Sequence, residues 1–124
     1  MAGTKLDGAG TQKMKTLEEA LVTLQTLHGL VETMAIDVNA QKPVGMIGQR
    51  VRRLAGPLQG QLKGQFGPLA DMVSAMILAA TRGGTDKLRL RFLRDYVAQI
   101  RTSIEVSMSK VKELHSVEVE IAGE

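Results

Sequence analysis

From Val44 to Ala80 one apolar stripe stays in helical phase although glycines and two prolines interrupt it. Val44, Ile47, Val51, Leu54, Leu58, Leu62, Phe66, Leu69, Val73, Met76 and Ala80 follow one another at intervals of three or four. That spacing puts all of them on one side of an α-helix. A solvated linker has no reason to keep such a phase, so the segment must lie along an apolar neighbour. Within it Gly56, Gly60 and Gly64 recur every fourth residue, and Gly-Pro-Leu occurs twice, at 56–58 and 67–69. An interior glycine costs a helix roughly 1 kcal/mol against alanine and an interior proline about 3. Two readings compete. One is a single kinked helix whose bare glycine strip lets another helix approach closely. The other starts a new helix at a Gly-Pro step, with proline in the first turn. The eleven-residue offset between the two Gly-Pro steps equals three turns, so both readings bury the same face. The break or kink is expected near Gly67-Pro68.

Two further helices are expected on either side. Thr16 and Glu19 have the spacing of a capping box. After them Ala20, Leu24, Leu27, Val31, Met34 and Val38 alternate four and three apart, widened by Leu17, Leu21, Leu30 and Ala35, until Pro43 ends the pattern. Thr81-Arg82-Gly83-Gly84-Thr85 is the clearest turn: Gly83 is suited to close the preceding helix and Thr85 to cap the next. The last helix is expected from about Asp86 to Ser116, with Leu93, Val97, Ile100, Ile104, Met108, Val111 and Leu114 as its stripe. Phe66, Phe92 and Tyr96 are the only aromatic residues, so the core must be aliphatic, which suits helix-on-helix packing. The expected fold is all-α: an antiparallel up-down bundle of three long helices, or four if the middle one breaks, with a core thin enough that dimerisation would complete it.

The chain divides into a leader, a bundle and a tail. Residues 1–13, rich in Gly, Thr and Ala without periodicity, read as a flexible leader left over from expression, with Met14-Lys15 as a natural start. Residues 14–116 form the bundle. Residues 117–124 alternate with period two from Val117 to Ile121, a strand signature without a recognisable partner strand. They are expected to be an extended or disordered tail, or to order on a partner. There is no apolar run long enough to span a membrane and no secretory leader, so the cytoplasm is the default location.

Charge is strongly partitioned. Residues 42–94 carry ten basic side chains against only Asp71 and Asp86, a net +8, whereas residues 1–41 come to −2 and residues 95–124 to −3. One cluster is Arg50, Arg52 and Arg53. The other surrounds the glycine turn: Arg82, Lys87, Arg89, Arg91 and Arg94. A long hairpin would set the two clusters at opposite ends. The turn cluster is the candidate partner-binding tip, for phosphate, acidic lipid or acidic protein. The plainer alternative is a solvated face, partly neutralised by the acidic first helix and by pairs such as Arg91–Asp95.

No catalytic constellation is present. The chain has no cysteine and two histidines, with no Asp-His-Ser set and no carboxylate pair facing an apolar pocket. His28 lies on the edge of the first stripe and reads as structural. His115 falls where the last helix frays and reads as solvated. Neither makes a metal site without neighbouring carboxylates. Gly83-Gly84 follows no strand and lacks the lysine of a phosphate loop. The seven methionines read as adaptable core filling.

Val51-Arg52-Arg53-Leu54-Ala55-Gly56-Pro57-Leu58, then Gly83-Gly84, then Leu93 to Leu114, resembles the helical hairpin that dimerises and accepts phosphate in sensor histidine kinases. That family has a histidine five residues before the proline of its Leu-x-x-Pro-Leu step; here that position is Arg52. Over about half the chain, the resemblance implies a dimerisation hairpin without phosphorylation. Together these features predict a non-enzymatic protein–protein interaction or scaffold module that needs no cofactor. Its expected partner is a protein or a second copy of the chain, and Gly56, Gly60 and Gly64 serve as its helix-packing strip. Nucleic-acid binding through the basic cluster is the alternative, and a degenerate phosphotransfer-like hairpin is a further one.

Overall fold

A computed structural model describes residues 2–120, with side chains described over residues 6–116. The helices are α1 (Gly8–Asn39), α2 (Ile47–Lys63), α3 (Gly67–Thr81) and α4 (Asp86–His115). They pack in a ring, α1 against α2 and α4, and α3 against α2 and α4. The result is an up-down-up-down bundle.

The stripe over 44–80 is buried as expected, but across two helices. Every member is at least half-buried, and Val51, Leu58, Leu62, Val73 and Met76 are fully buried. The chain reverses at Gly64-Gln65-Phe66, where the Gln65 and Phe66 amides both donate to the Leu62 carbonyl, at 3.3 and 2.7 Å. Phe66 leaves the helical region (φ −134°, ψ 64°) and Pro68 follows in the first turn of α3. Pro57, in the same tripeptide, stays inside α2. It is exposed, so the backbone carbonyl it orphans faces water and the loss is tolerable. Because α2 and α3 are antiparallel neighbours, the long two-helix hairpin implied by the histidine-kinase resemblance is not formed.

The core is aliphatic, as the scarcity of aromatics required. Leu17, Leu24, Leu27, Leu93, Ile100 and Ile104 are fully buried, each worth roughly 1.5–3 kcal/mol relative to exposure. Among the described residues no polar side chain is buried. Leu114 departs from its stripe at 75% exposed, because it lies where only α1 faces α4. Met46, read with the other methionines as core filling, is instead exposed at the N-cap of α2.

The chain ends differ most from expectation. Thr16 does not cap a helix; it lies in the third turn of α1 and its hydroxyl bonds the Gln12 carbonyl and Gln65 Oε1. The cap is Asp7, whose Oδ1 accepts from the Gly10 amide at 2.6 Å. Residues 8–13 are therefore helical rather than a loose leader. Two short strands, β1 (Ala2–Leu6) and β2 (Ser116–Glu120), pair antiparallel, with Ala2 opposite Glu120 and Leu6 opposite Ser116. The strand signature after His115 thus has a partner, supplied by the opposite end of the chain. The physical reason lies in the helices. α1 and α4 have 32 and 30 residues, about 45–48 Å each at 1.5 Å per residue. Antiparallel helices of matched length return their outer ends to one place, and the Asp7 amide bonds the His115 carbonyl at 2.9 Å. The last four residues of the expected tail lie outside the described residues.

Candidate functional site

The reversal at 64–66 decides where the charge sits. Since α2 runs back along α3, the start of α2 meets the end of α3: a side chain placed at Gly48 would meet Thr81 Cγ2 at 2.8 Å. Arg50, Arg52 and Arg53 therefore share one end of the bundle with Arg82, Lys87, Arg89, Arg91 and Arg94. The expectation that the clusters fall at opposite ends is corrected, because it assumed a continuous helix over 44–81. The C-terminal end of α1, with Lys42 just beyond it, lies at this same end.

Within the turn cluster the side chains have different jobs. Gly84, not Gly83, takes the positive φ of 121° that lets the chain turn. Thr85 caps α4 as expected, accepting from the Leu88 amide at 3.1 Å. Arg89 is half-buried and internal to the turn: Nε donates to the Arg82 carbonyl at 2.6 Å, and the guanidinium pairs with Asp86 at 2.7 Å. Arg94 reaches across to α1 and holds both oxygens of Glu32, at 2.8 and 2.6 Å. The Arg94 hydrogen bond pulls the Glu32 carboxyl below its ordinary pKa and holds Arg94 more firmly charged. Arg91 does not pair with Asp95; among the described residues the cross-helix pair at this end is Arg94–Glu32. Lys87 and Arg91 are exposed, one turn apart, and make no described ion pair.

Between the last turns of α1 and the first turns of α4 lies a cleft of about 610 Å³, lined by Ala35, Val38, Leu88 and Leu90 and rimmed by Lys87, Arg91 and Arg94. Leu88 and Phe92 remain 42% and 45% exposed. The apolar character beside the cations is not part of the sequence expectation, which gives Leu88 and Phe92 no place in the α4 stripe. The signal was available: Leu88 and Phe92 are four apart and sit off the Leu90, Leu93, Val97 and Ile100 line.

The glycine strip also differs from expectation. A Cβ at Gly56, Gly60 or Gly64 would meet nothing within 4 Å, so no helix of this chain packs on it and it forms an open track on α2. The glycines that do carry close approaches are Gly48 and Gly10, the latter against His115. His115 is 20% exposed rather than solvated and bridges the ends: Nδ1 lies 3.3 Å from Asp7 Oδ1, and Nε2 lies 3.2 Å from Lys13 Nζ. The tautomer with its proton on Nδ1 satisfies both neighbours. The Gly10 amide, and to a lesser degree His115 and Lys13, hold the Asp7 carboxyl below its usual range. His28 is half-buried on the α1 edge.

No helix among the described residues is long and apolar enough to cross a membrane. No protein-family model matches the chain, and neither does any curated protein or solved structure.

Proposed function

We propose that the chain is a non-enzymatic helical interaction module. Its basic end engages an acidic protein partner, and its open glycine track on α2 admits a second helix, including one from another copy. One observation carries this reading: eight of the ten basic residues between 42 and 94 belong to two clusters that converge on one end of the bundle, where Lys87 and Arg91, which form no ion pair among the described residues, stand beside exposed Leu88 and Phe92. Cations around apolar side chains are what an acidic amphipathic surface requires, since charge steers the encounter and burial supplies affinity. The glycine track supports the helix-docking half, because small residues let helix backbones approach closely.

The test is sedimentation of the wild type and Gly60→Leu across a wide concentration range. Concentration-dependent association that the leucine abolishes is the expected result. Identical behaviour of the two chains removes the track from the reading.

Nucleic-acid binding is the second reading, favoured by the same convergence and by the exposed ring of Phe92. Labelled duplex DNA and RNA titrated at about 50 and 200 mM salt separate it from the first. Several phosphate contacts lose orders of magnitude in affinity over that range, whereas no binding at the lower salt eliminates it.

A further inference from the structure

We infer that the cleft between α1 and α4 is a binding site for a single-chain anionic amphiphile, a long-chain carboxylate whose head meets Lys87 and Arg91 and whose tail covers exposed Leu88. This goes beyond the interaction-module reading and stands independently of the glycine track.

Four observations support it. The volume of about 610 Å³ lies inside the range of small-ligand sites, roughly 300–1,000 Å³. The walls are Ala35 and Val38 from one helix and Leu88 and Leu90 from the other, and Leu88 keeps 42% of its surface exposed. An apolar chain therefore has surface to remove from water.

The charges select the head group. Arg94 is neutralised by Glu32, so the rim cations without an ion pair among the described residues are Lys87 and Arg91. These two stand one turn apart on α4, next to its Thr85-capped N-terminus, where the backbone amides add to the positive potential. Asp95, the one acid lining the cleft, lies about 12 Å along α4 from Lys87 but only one turn from Arg91, at 1.5 Å per residue, so the cleft is most positive at Lys87. An anionic head is thereby drawn to the Lys87 end and kept from the other, which gives the ligand a direction. A ligand of head group alone gains only screened surface charge, and an uncharged chain leaves both cations unused. The two features together specify the amphiphile.

The experiment is calorimetric titration of the full chain with octanoate, decanoate and dodecanoate, each below its micelle concentration. Acetate and dodecyltrimethylammonium serve as controls, and phosphatidylglycerol vesicles form a separate arm. Affinity is expected to rise about fourfold per added methylene while the tail still fits. Acetate should give no heat, and the cationic chain should bind at least tenfold more weakly than dodecanoate. The double variant Lys87→Glu/Arg91→Glu should lose at least tenfold for dodecanoate, and Leu88→Asp should abolish binding. All three positions are exposed, and a thermal melt checks that the fold is retained. Should a variant fold poorly, the head-group selectivity of the wild type decides alone. Equal binding of the cationic and anionic chains overturns the inference as mere adsorption. Binding to vesicles without binding to monomeric carboxylate overturns it in favour of a membrane surface.

Discussion

The two ends of this bundle are built from the same helices, α1 and α4, yet they use charge in opposite ways. At the ribbon end Asp7, Lys13 and His115 satisfy one another, the strands pair, and Gly10 lets the helices close. At the basic end two further helices arrive, Gly48 makes the close contact instead, and arginines from separate segments gather with fewer acids than they need. One end consumes its polar groups internally; the other presents them. The contrast separates what closes the fold from what is available for recognition.

Core truncations should show the contrast most strongly. Leu93, fully buried where four helices meet, should cost about 2–5 kcal/mol as Leu93→Ala. Val111 is buried toward the ribbon end, and Val111→Ala should cost less, about 1–2 kcal/mol, because it removes fewer carbons. Urea denaturation measures both. Equal costs would mean that the ribbon end is packed the more tightly of the two, since valine loses fewer carbons.

The glycine contacts come next. Gly10→Ala drives a methyl into the His115 Cβ, an atom fixed to the helix wall, and should destabilise by about 1–2 kcal/mol despite the gain in helix propensity. Gly48→Ala meets Thr81 Cγ2 at 2.8 Å and the fixed Ala80 carbonyl oxygen at 3.3 Å, so it should also destabilise, but by less, about 0.5–1 kcal/mol, because Thr81 is exposed and has room to shift. A larger penalty at Gly48 would reverse the assignment of the rigid end.

Acid should erode both ends. The carboxyls of Asp7 and Glu32 titrate lower in the folded chain than in the unfolded one. Their stabilisation is therefore complete above the ordinary carboxylate pKa near 4 and is lost as pH falls through the folded values. Asp7→Asn keeps a capping side chain but removes the titration, so its melting temperature should fall less steeply below about pH 4 than the wild type's. Parallel pH profiles would show that the Asp7 charge contributes nothing beyond its cap.

The smallest effect is expected in the α1–α2 loop at the basic end, where Gln41 holds a left-handed φ of 58°. Gln41→Gly should raise stability by less than about 0.5 kcal/mol. A loss in the same melt would mean that the glutamine side chain has a role in the loop.

Much of the fold was legible in the residues. Each helical stripe was identified nearly residue by residue, because burial on a helix has a period that a local window detects. Thr85 was recognised as a cap, and the middle segment as a place of breakage. Asp7 was missed because the Thr16–Glu19 pair has the form of a capping box, and its position inside α1 becomes visible only when Gly8 to Lys15 are seen packed along α4. The candidate site was half legible: its cations were named, but Lys87 and Arg91 could not be told from Arg89 and Arg94, since that distinction depends on Asp86 and on Glu32 from another helix.

The sequence alone determined which face of each segment is apolar, that the core is aliphatic and helical, and that positive charge concentrates between residues 42 and 94. Only the tertiary structure decided that the basic clusters share one end and that the first residues pair with the last. Hydrophobic phase is a local property that a kink and a hairpin conserve equally, as the two Gly-Pro-Leu steps show by continuing one helix and beginning another. Direction is not local. Reversing the chain at Phe66 leaves every buried face in place and moves residues thirty positions apart from opposite ends to the same end.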